Sequence, residues 1–177
     1  NKQEKIINDK IIKWTQLWIG EAKGIADEYF KDNPSPLISY QLYARYKITN
    51  KDDIISFYID YYQFTGGAHG ITNRVAYNID VATGNELKLE DIFKKEFLYK
   101  DVINNEISRQ IKKDPDRYFT GKDGFNGINE NQNFYIKNKK LVIYFELYEI
   151  APYASGISEF VIPNKIIKEN MKYYEVL

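Results

Sequence analysis

Apolar positions near the start of the chain recur at spacings of three and four. Ile7, Ile11, Trp14, Trp18, Ala22, Ile25 and Tyr29 form one stripe. That period predicts a long amphipathic helix over residues 4–31. Gly20 and Gly24 weaken its middle, and Asn33-Pro34-Ser35-Pro36 stops it. From Leu37 the period drops to two. Ile38, Tyr40, Leu42, Ala44, Tyr46 and Ile48 share one face, with Ser39, Gln41, Tyr43, Arg45 and Lys47 on the other, the pattern of a half-buried strand. Asn50-Lys51-Asp52-Asp53 turns the chain into a second strand over 54–64. Thr65-Gly66-Gly67-Ala68-His69-Gly70 breaks that strand, and a third follows with Ile71, Val75, Tyr77, Ile79 and Val81 in register. Short turns between successive strands predict an antiparallel meander.

After a turn at Thr83-Gly84-Asn85, Leu87 to Phe93 leads into helix with acids at its first turn. Leu98, Val102, Ile103, Ile107 and Ile111 carry a second helix to Lys113. Residues 114–133, rich in Asp, Asn and Gly, read as a long loop. Phe134-Tyr135-Ile136 and Leu141 to Tyr148 flank Asn138-Lys139 as a hairpin. A polar loop at 151–156 precedes a last strand at 157–162, and Pro163 opens a terminal helix. There is no internal repeat and no linker that divides the chain cleanly. The expected fold is α+β, a mostly antiparallel sheet with a long N-terminal helix and a second helix packed on one face.

Composition narrows the function more than the fold. The 177 residues suit one domain, or two small lobes sharing a core. Basic and acidic residues balance at 25 each, which argues against nucleic acid or anionic lipid as the main partner. The longest apolar runs fall short of a membrane span. With Cys absent and one His, disulfides, thiolate chemistry and His-rich metal sites are excluded, so neither a cofactor nor a metal is expected. Tyr, at 16 residues, suits half-exposed strands and sticky surfaces alike. The chain starts at Asn1 without a Met, and we expect a mature or trimmed fragment whose signal or anchor lies ahead of it.

Few residues stand out chemically. His69, among glycines and Ala68, reads as a turn residue held by backbone or carboxylate, with a binding role as the sharper reading. No nucleophile elbow accompanies it. The acids are too many for a glycosidase pair to be picked by eye, and the 114–133 loop misses the spacing of a calcium loop. Glu149 continues the parity of Leu141, Ile143, Phe145 and Leu147, which aims a carboxylate at the core. It is either turned out by a bulge or tied by hydrogen bonds, and the Thr65–Gly70 turn, with backbone donors from Thr65, Gly66 and Gly67, is the expected distant partner. The Pro-stiffened loop Ala151-Pro152-Tyr153-Ala154-Ser155-Gly156 offers Pro152, Tyr153 and Ser155 as candidate binding residues, with Tyr153 as anchor.

Two stretches carry a family resemblance. One is Tyr62-Gln63-Phe64-Thr65-Gly66-Gly67-Ala68-His69-Gly70 with Asn78-Ile79-Asp80 and Thr83-Gly84. The other runs from Phe145-Glu146-Leu147-Tyr148-Glu149-Ile150-Ala151-Pro152-Tyr153-Ala154-Ser155-Gly156 to Glu159-Phe160 and Ile162-Pro163. Together they resemble the RsiV-like domain of bacterial extracytoplasmic proteins, found in RsiV-type anti-sigma factors and in the non-catalytic region of PdaC-type peptidoglycan deacetylases. The resemblance implies one compact unit over 1–177, with a PdaC-like N-terminal part at 1–64 and an RsiV-like part at 65–177. It implies an α+β domain outside the cytoplasmic membrane, secreted or anchored there, and a lysozyme-like protein or a glycan of the cell envelope as partner. A deacetylase metal site needs several His and Asp, so catalysis is not part of what is implied. The leading function is a non-enzymatic recognition or sensor module, and the rival is a carbohydrate-active enzyme or accessory domain.

Overall fold

The computed structural model describes residues 2–32 and 39–173. The stripe predicted from Ile7 onward is one helix, α1 (Lys2–Asp32). It ends just before the expected Asn-Pro-Ser-Pro stop, which lies with Leu37 and Ile38 outside the described residues. Three strands follow as predicted, β1 (Gln41–Lys51), β2 (Ile54–Phe64) and β3 (Ile71–Asp80), in the sheet order β1-β2-β3. A short 3-10 turn at Leu89–Ile92 replaces the first expected helical stretch, and α2 (Tyr99–Ile111) follows. The 114–133 segment is a loop with two single-turn 3-10 pieces, Pro115–Arg117 and Gly121–Asp123. Then come β4 (Phe134–Lys137), β5 (Lys140–Phe145), β6 (Ser158–Ile162) and a short α3 (Asn164–Ile167) after Pro163. The class is α+β, as expected. The antiparallel strands form two three-stranded sheets where one was expected, the second in the order β4-β5-β6.

The chain divides into two compact units. Residues 1–46 and 59–75 form the first, and 47–58 with 76–177 form the second. In the first unit α1 is fastened along a narrow seam. Trp14 and Trp18 lie against Tyr61 of β2, with ring centroids 4.3 and 5.1 Å away, and Thr15 shares a 2.9 Å hydrogen bond with the Tyr61 hydroxyl. Trp18, Ala22 and Tyr61 are buried and Trp14 is half-buried, while Ile25 of the predicted stripe is exposed. Across β2 and β3, Arg74 grips Asp60 through Nε and Nη2 at 2.6 and 2.9 Å, a bidentate pair. At Gly70 a Cβ would come within 2.3 Å of the Tyr62 ring, so any side chain there would have to displace that ring.

The expectation of a half-buried β1 is corrected. Every residue from Gln41 to Ile48 is exposed. Within the first unit the helix seats its tryptophans on β2, so Ala44 and Tyr46 stay exposed and Leu42 only lines the rim of a groove beside α1, although the three alternate as a core face would.

The second unit is built differently. β5 lies between β4 and β6, pairing Phe134 with Ile143 on one side and Ile143 with Phe160 on the other. Leu141, Ile143 and Phe145 join Ile103 and Ile107 of α2, Phe160 and Ile162 in the main core. Val142 and Tyr144, on the opposite face, pack with Tyr58 and Tyr135. Strand β5 is therefore covered on both faces. At one end, side chains stand in for a strand partner to β4. Ser56 Oγ accepts from the backbone N–H of Ile136 (2.9 Å) and donates to Asn78 Oδ1 (2.7 Å), while Asn78 Nδ2 donates to the Phe134 carbonyl (3.0 Å). Asn50 Oδ1 accepts from Lys139 N–H, and Thr49 O from Asn138 N–H. Ser56, Asn78, Thr49 and Asn50 are all buried, and each meets the requirement that a buried polar group be partnered.

Candidate functional site

The 146–156 loop leaves β5 at Phe145. Its backbone first folds into a turn in which the Glu149 amide donates to the Glu146 carbonyl (3.1 Å) and Glu149 Oε2 accepts from the Glu146 N–H (2.8 Å). Glu149 is exposed. The reading that aimed its carboxylate at the core fails because the strand period stops at Phe145. Tyr148 then takes φ of 67°, a left-handed conformation that a non-glycine residue adopts at a cost. Glu149 thus ties its own turn instead of reaching to a distant loop.

Pro152 opens a 3-10 turn, Tyr153–Ser155, closed by Ser155 N–H to the Pro152 carbonyl and Gly156 N–H to the Tyr153 carbonyl, both 2.9 Å. Gly156 has φ of 69°, the conformation glycine supplies most cheaply. A second segment fixes this turn from outside. Ser155 Oγ donates to the Arg117 carbonyl (2.9 Å), Arg117 Nη2 donates to the Ser155 carbonyl (2.8 Å), and Phe119 N–H bonds the Ile150 carbonyl (2.9 Å). Ile150 and Ala151 are buried beneath. On this base Tyr148, 49% exposed, and the half-buried Tyr153 bring their rings to 5.7 Å, with Pro152 exposed beside them. The loop is an aromatic shelf held by hydrogen bonds within its own turns and from the 117–119 segment. Of the predicted residues, Pro152 and Tyr153 stand at its surface and Ser155 pins it. Tyr148 and Arg117 carried no signal in the sequence, because one needs its φ and the other a contact 38 positions away.

In the first unit, His69 is exposed in the Thr65–Gly70 turn, with Nδ1 3.3 Å from the Gly70 carbonyl. Gly66 has φ of 85°, while Thr65 and Gly66 are half-buried and Gly67 is exposed. These residues shape a turn of their own.

In the second unit a groove of about 510 Å³ is lined by the acids Asp80, Glu86 and Asp91 with Lys172 and Tyr173. Asp80 Oδ2 accepts from the Tyr173 hydroxyl (2.7 Å) and Oδ1 from the Thr83 N–H (3.0 Å), and Asp91 Oδ2 accepts from the Lys88 N–H (2.9 Å). Burial pulls the Asp80 pKa upward, but the hydrogen bonds from Tyr173, Thr83 and Ala82 outweigh it and leave the group below its ordinary value. Burial and the Asp80 carboxylate push the Tyr173 hydroxyl far up. A carboxyl acting as general acid in glycoside cleavage needs a raised pKa, and Asp80 is shifted the other way. Among the described residues no cluster of three or more acids or His stands ready to hold a metal ion, and no helix is long and apolar enough to cross a membrane.

Comparison with known proteins places this architecture. The family model described as a protein of unknown function (DUF3298) matches residues 90–165, and that for the deacetylase PdaC matches residues 1–72. The anti-sigma-V factor RsiV of Bacillus subtilis (strain 168) is 32% identical over 176 residues, 94% of this chain and 59% of RsiV. The chain is an RsiV/PdaC-like domain. Another relative of this RsiV/PdaC-like domain is the peptidoglycan-N-acetylmuramic acid deacetylase PdaC of the same organism, 27% identical over 137 residues, 75% of this chain and 29% of PdaC. The chain therefore spans less than two thirds of either curated relative, 59% of RsiV and 29% of PdaC. A DUF3298 family member from Bacteroides fragilis superposes with a TM-score of 0.63 at 25% identity, covering 91% of this chain and 68% of that one. A DUF3298 family protein from Pseudomonas aeruginosa PAO1, at 20% identity, shares the fold with a TM-score of 0.57 over 83% of this chain and 68% of its own.

Proposed function

We propose that this RsiV/PdaC-like domain is a non-enzymatic recognition or sensor module working outside the cytoplasmic membrane. Its partner is a cell-envelope protein of the lysozyme kind, or a glycan, and the shelf of Pro152, Tyr148 and Tyr153 is the contact surface. Two relatives, one an anti-sigma factor and one a peptidoglycan deacetylase, support an envelope-associated role. The observation that carries the reading is the strained, half-exposed Tyr148 held against Tyr153 on a loop pinned by Arg117. Backbone strain outside the core persists where the surroundings hold it, and it concentrates at binding sites. A loop ordered before binding loses little entropy on contact, and Tyr supplies area at low rotamer cost. In this reading Ser155 and Glu149 hold the shelf, Thr65, Gly66 and Gly67 hold the His69 turn, and His69 is an accessory contact. The whole chain acts as one module whose family halves meet at residues 64 and 65.

A carbohydrate-active role is less favoured, because Asp80 and Asp91 are committed to turn amides and Asp80 is shifted away from acid chemistry. Titration calorimetry with a c-type lysozyme and, separately, with soluble peptidoglycan fragments tests the proposal. Tyr153→Ala should weaken binding of the active ligand at least tenfold while the fold survives, the usual scale for a buried aromatic anchor. Unchanged affinity in a folded Tyr153→Ala variant removes the shelf from the site, and absence of binding to both ligand classes removes the function.

A further inference from the structure

Among the described residues the first unit has an exposed flank that lies outside the shelf. The order β1-β2-β3 puts β1 at a sheet edge, and an edge strand presents a row of N–H and C=O groups with no neighbouring strand. Residues Gln41 to Tyr46 are exposed throughout, with Leu42, Tyr43 and Tyr46 at 36%, 50% and 74%. Beside the strand lies an apolar groove of about 280 Å³, where Ile19, Ala22 and Ala26 of α1 face Tyr40, Leu42 and Phe64. The groove continues the Leu42 face of β1, so alternate residues of an added strand would extend it. Charge is one-sided here. Residues 39–46 contain Arg45 and no acid, and the groove lining contributes Lys23 and no acid. Among the described residues neither cation is in an ion pair.

We propose that this edge accepts an extended segment of a partner protein as an added strand, with apolar residues alternating with acidic ones. Main-chain hydrogen bonding to β1 supplies affinity, and the period of two supplies specificity. Apolar side chains lie along the Leu42 and groove face, and acidic ones run beside Arg45. A second copy of this chain is a poorer occupant, since pairing two β1 edges brings together two Arg45 side chains with no acid between them.

The probe is a blocked peptide of four Val-Glu repeats, titrated into the isotope-labelled chain and followed by amide NMR, with a Val-Lys peptide and a proline-interrupted Val-Glu peptide alongside. The Val-Glu peptide should perturb residues 40–46 and the groove, bind at least tenfold tighter than Val-Lys, and lose binding when interrupted by proline. Arg45 is exposed, so Arg45→Glu should fold normally and reverse the preference between the two peptides. Equal affinities, perturbations elsewhere, retained binding of the interrupted peptide, or no binding would each overturn the proposal. So would a peptide-free dimer in sedimentation equilibrium that dissociates when Tyr46 is replaced by Lys.

Discussion

Strands β1 and β5 both alternate large apolar residues, yet Leu42 and Tyr46 are exposed while Leu141, Ile143 and Phe145 are fully covered. The difference lies in what each unit places against its strand. In the second unit α2 covers one face of β5, and Tyr58 with Tyr135 covers the other. In the first, α1 sets Trp14 and Trp18 on Tyr61 of β2, and among the described residues the edge strand is left exposed from Gln41 to Ile48. Apolar alternation thus specifies a strand, but burial is decided by whether another element reaches it. The densely packed unit is also the one that carries the aromatic shelf. A binding loop is precise only if the base beneath it does not move.

The comparison makes graded predictions. The largest effect belongs to the β5 core. Ile143→Ala should cost about 2–5 kcal/mol in urea unfolding, as large-to-small changes at fully buried sites do. Leu17→Ala on the exposed side of α1 should change stability by less than about 0.5 kcal/mol. Equal costs would erase the contrast between the units. Next comes the polar seal of β4. Asn78→Ala removes the donor to the Phe134 carbonyl and the acceptor of the Ser56 hydroxyl, and each buried group so stranded costs about 1–3 kcal/mol. A neutral result would mean that water replaces the amide.

The third concerns pH. Glu106 of α2 is buried, accepts Arg109 through both oxygens at 2.7 and 2.8 Å, and also accepts Gln110 at 2.8 Å. The Arg109 hydrogen bonds, against the opposing pull of burial, hold its carboxyl below the ordinary carboxylate value. A depressed folded pKa gives stability that is fully present above the unfolded value and lost as pH falls through the folded one. The urea midpoint of the native chain should therefore exceed that of Glu106→Gln at pH 7. The gap should be smaller than the Asn78 effect, and it should close as the pH falls below the ordinary carboxylate range. A gap independent of pH would contradict the assignment.

Much of this was legible in the sequence. The period of 3.6 in α1, the period of two in β2 and β3, and the Asn138-Lys139 turn placed most elements within a few residues. That holds because each is a local consequence of side-chain spacing. Long-range facts were not legible. The split into two sheets depends on Ser56 and Asn78 sealing β4, pairs 80 and 56 positions apart. The parity that aims Glu149 at the core holds only to Phe145, where β5 ends, and the positive φ at Tyr148 then turns the chain. The exposure of β1 could not be read, because covered and uncovered strands share one alternation. Glu106 with Arg109 was readable in principle from its spacing of three on a helix, but the burial of the Glu106 carboxylate beside an exposed Arg109 was not.

A small stability effect at Tyr148 separates binding from folding. Tyr148→Gly relieves a left-handed non-glycine conformation while removing a ring contact, so unfolding free energy should shift by less than about 1 kcal/mol in either direction. Binding through the shelf should nonetheless fall. A large loss of stability would make Tyr148 a structural residue and empty its strain of functional meaning.

That the shelf is ordered before any partner arrives can be read directly by native-state hydrogen exchange. The amides of Phe119, Glu149, Ser155 and Gly156, each bonded to a carbonyl within the loop system, should exchange slowly, with opening free energies close to those of β5. The first turns of α1, which contain no buried residue, should exchange fast by local opening. Shelf amides that exchange as quickly as the start of α1 would contradict a preorganised recognition surface.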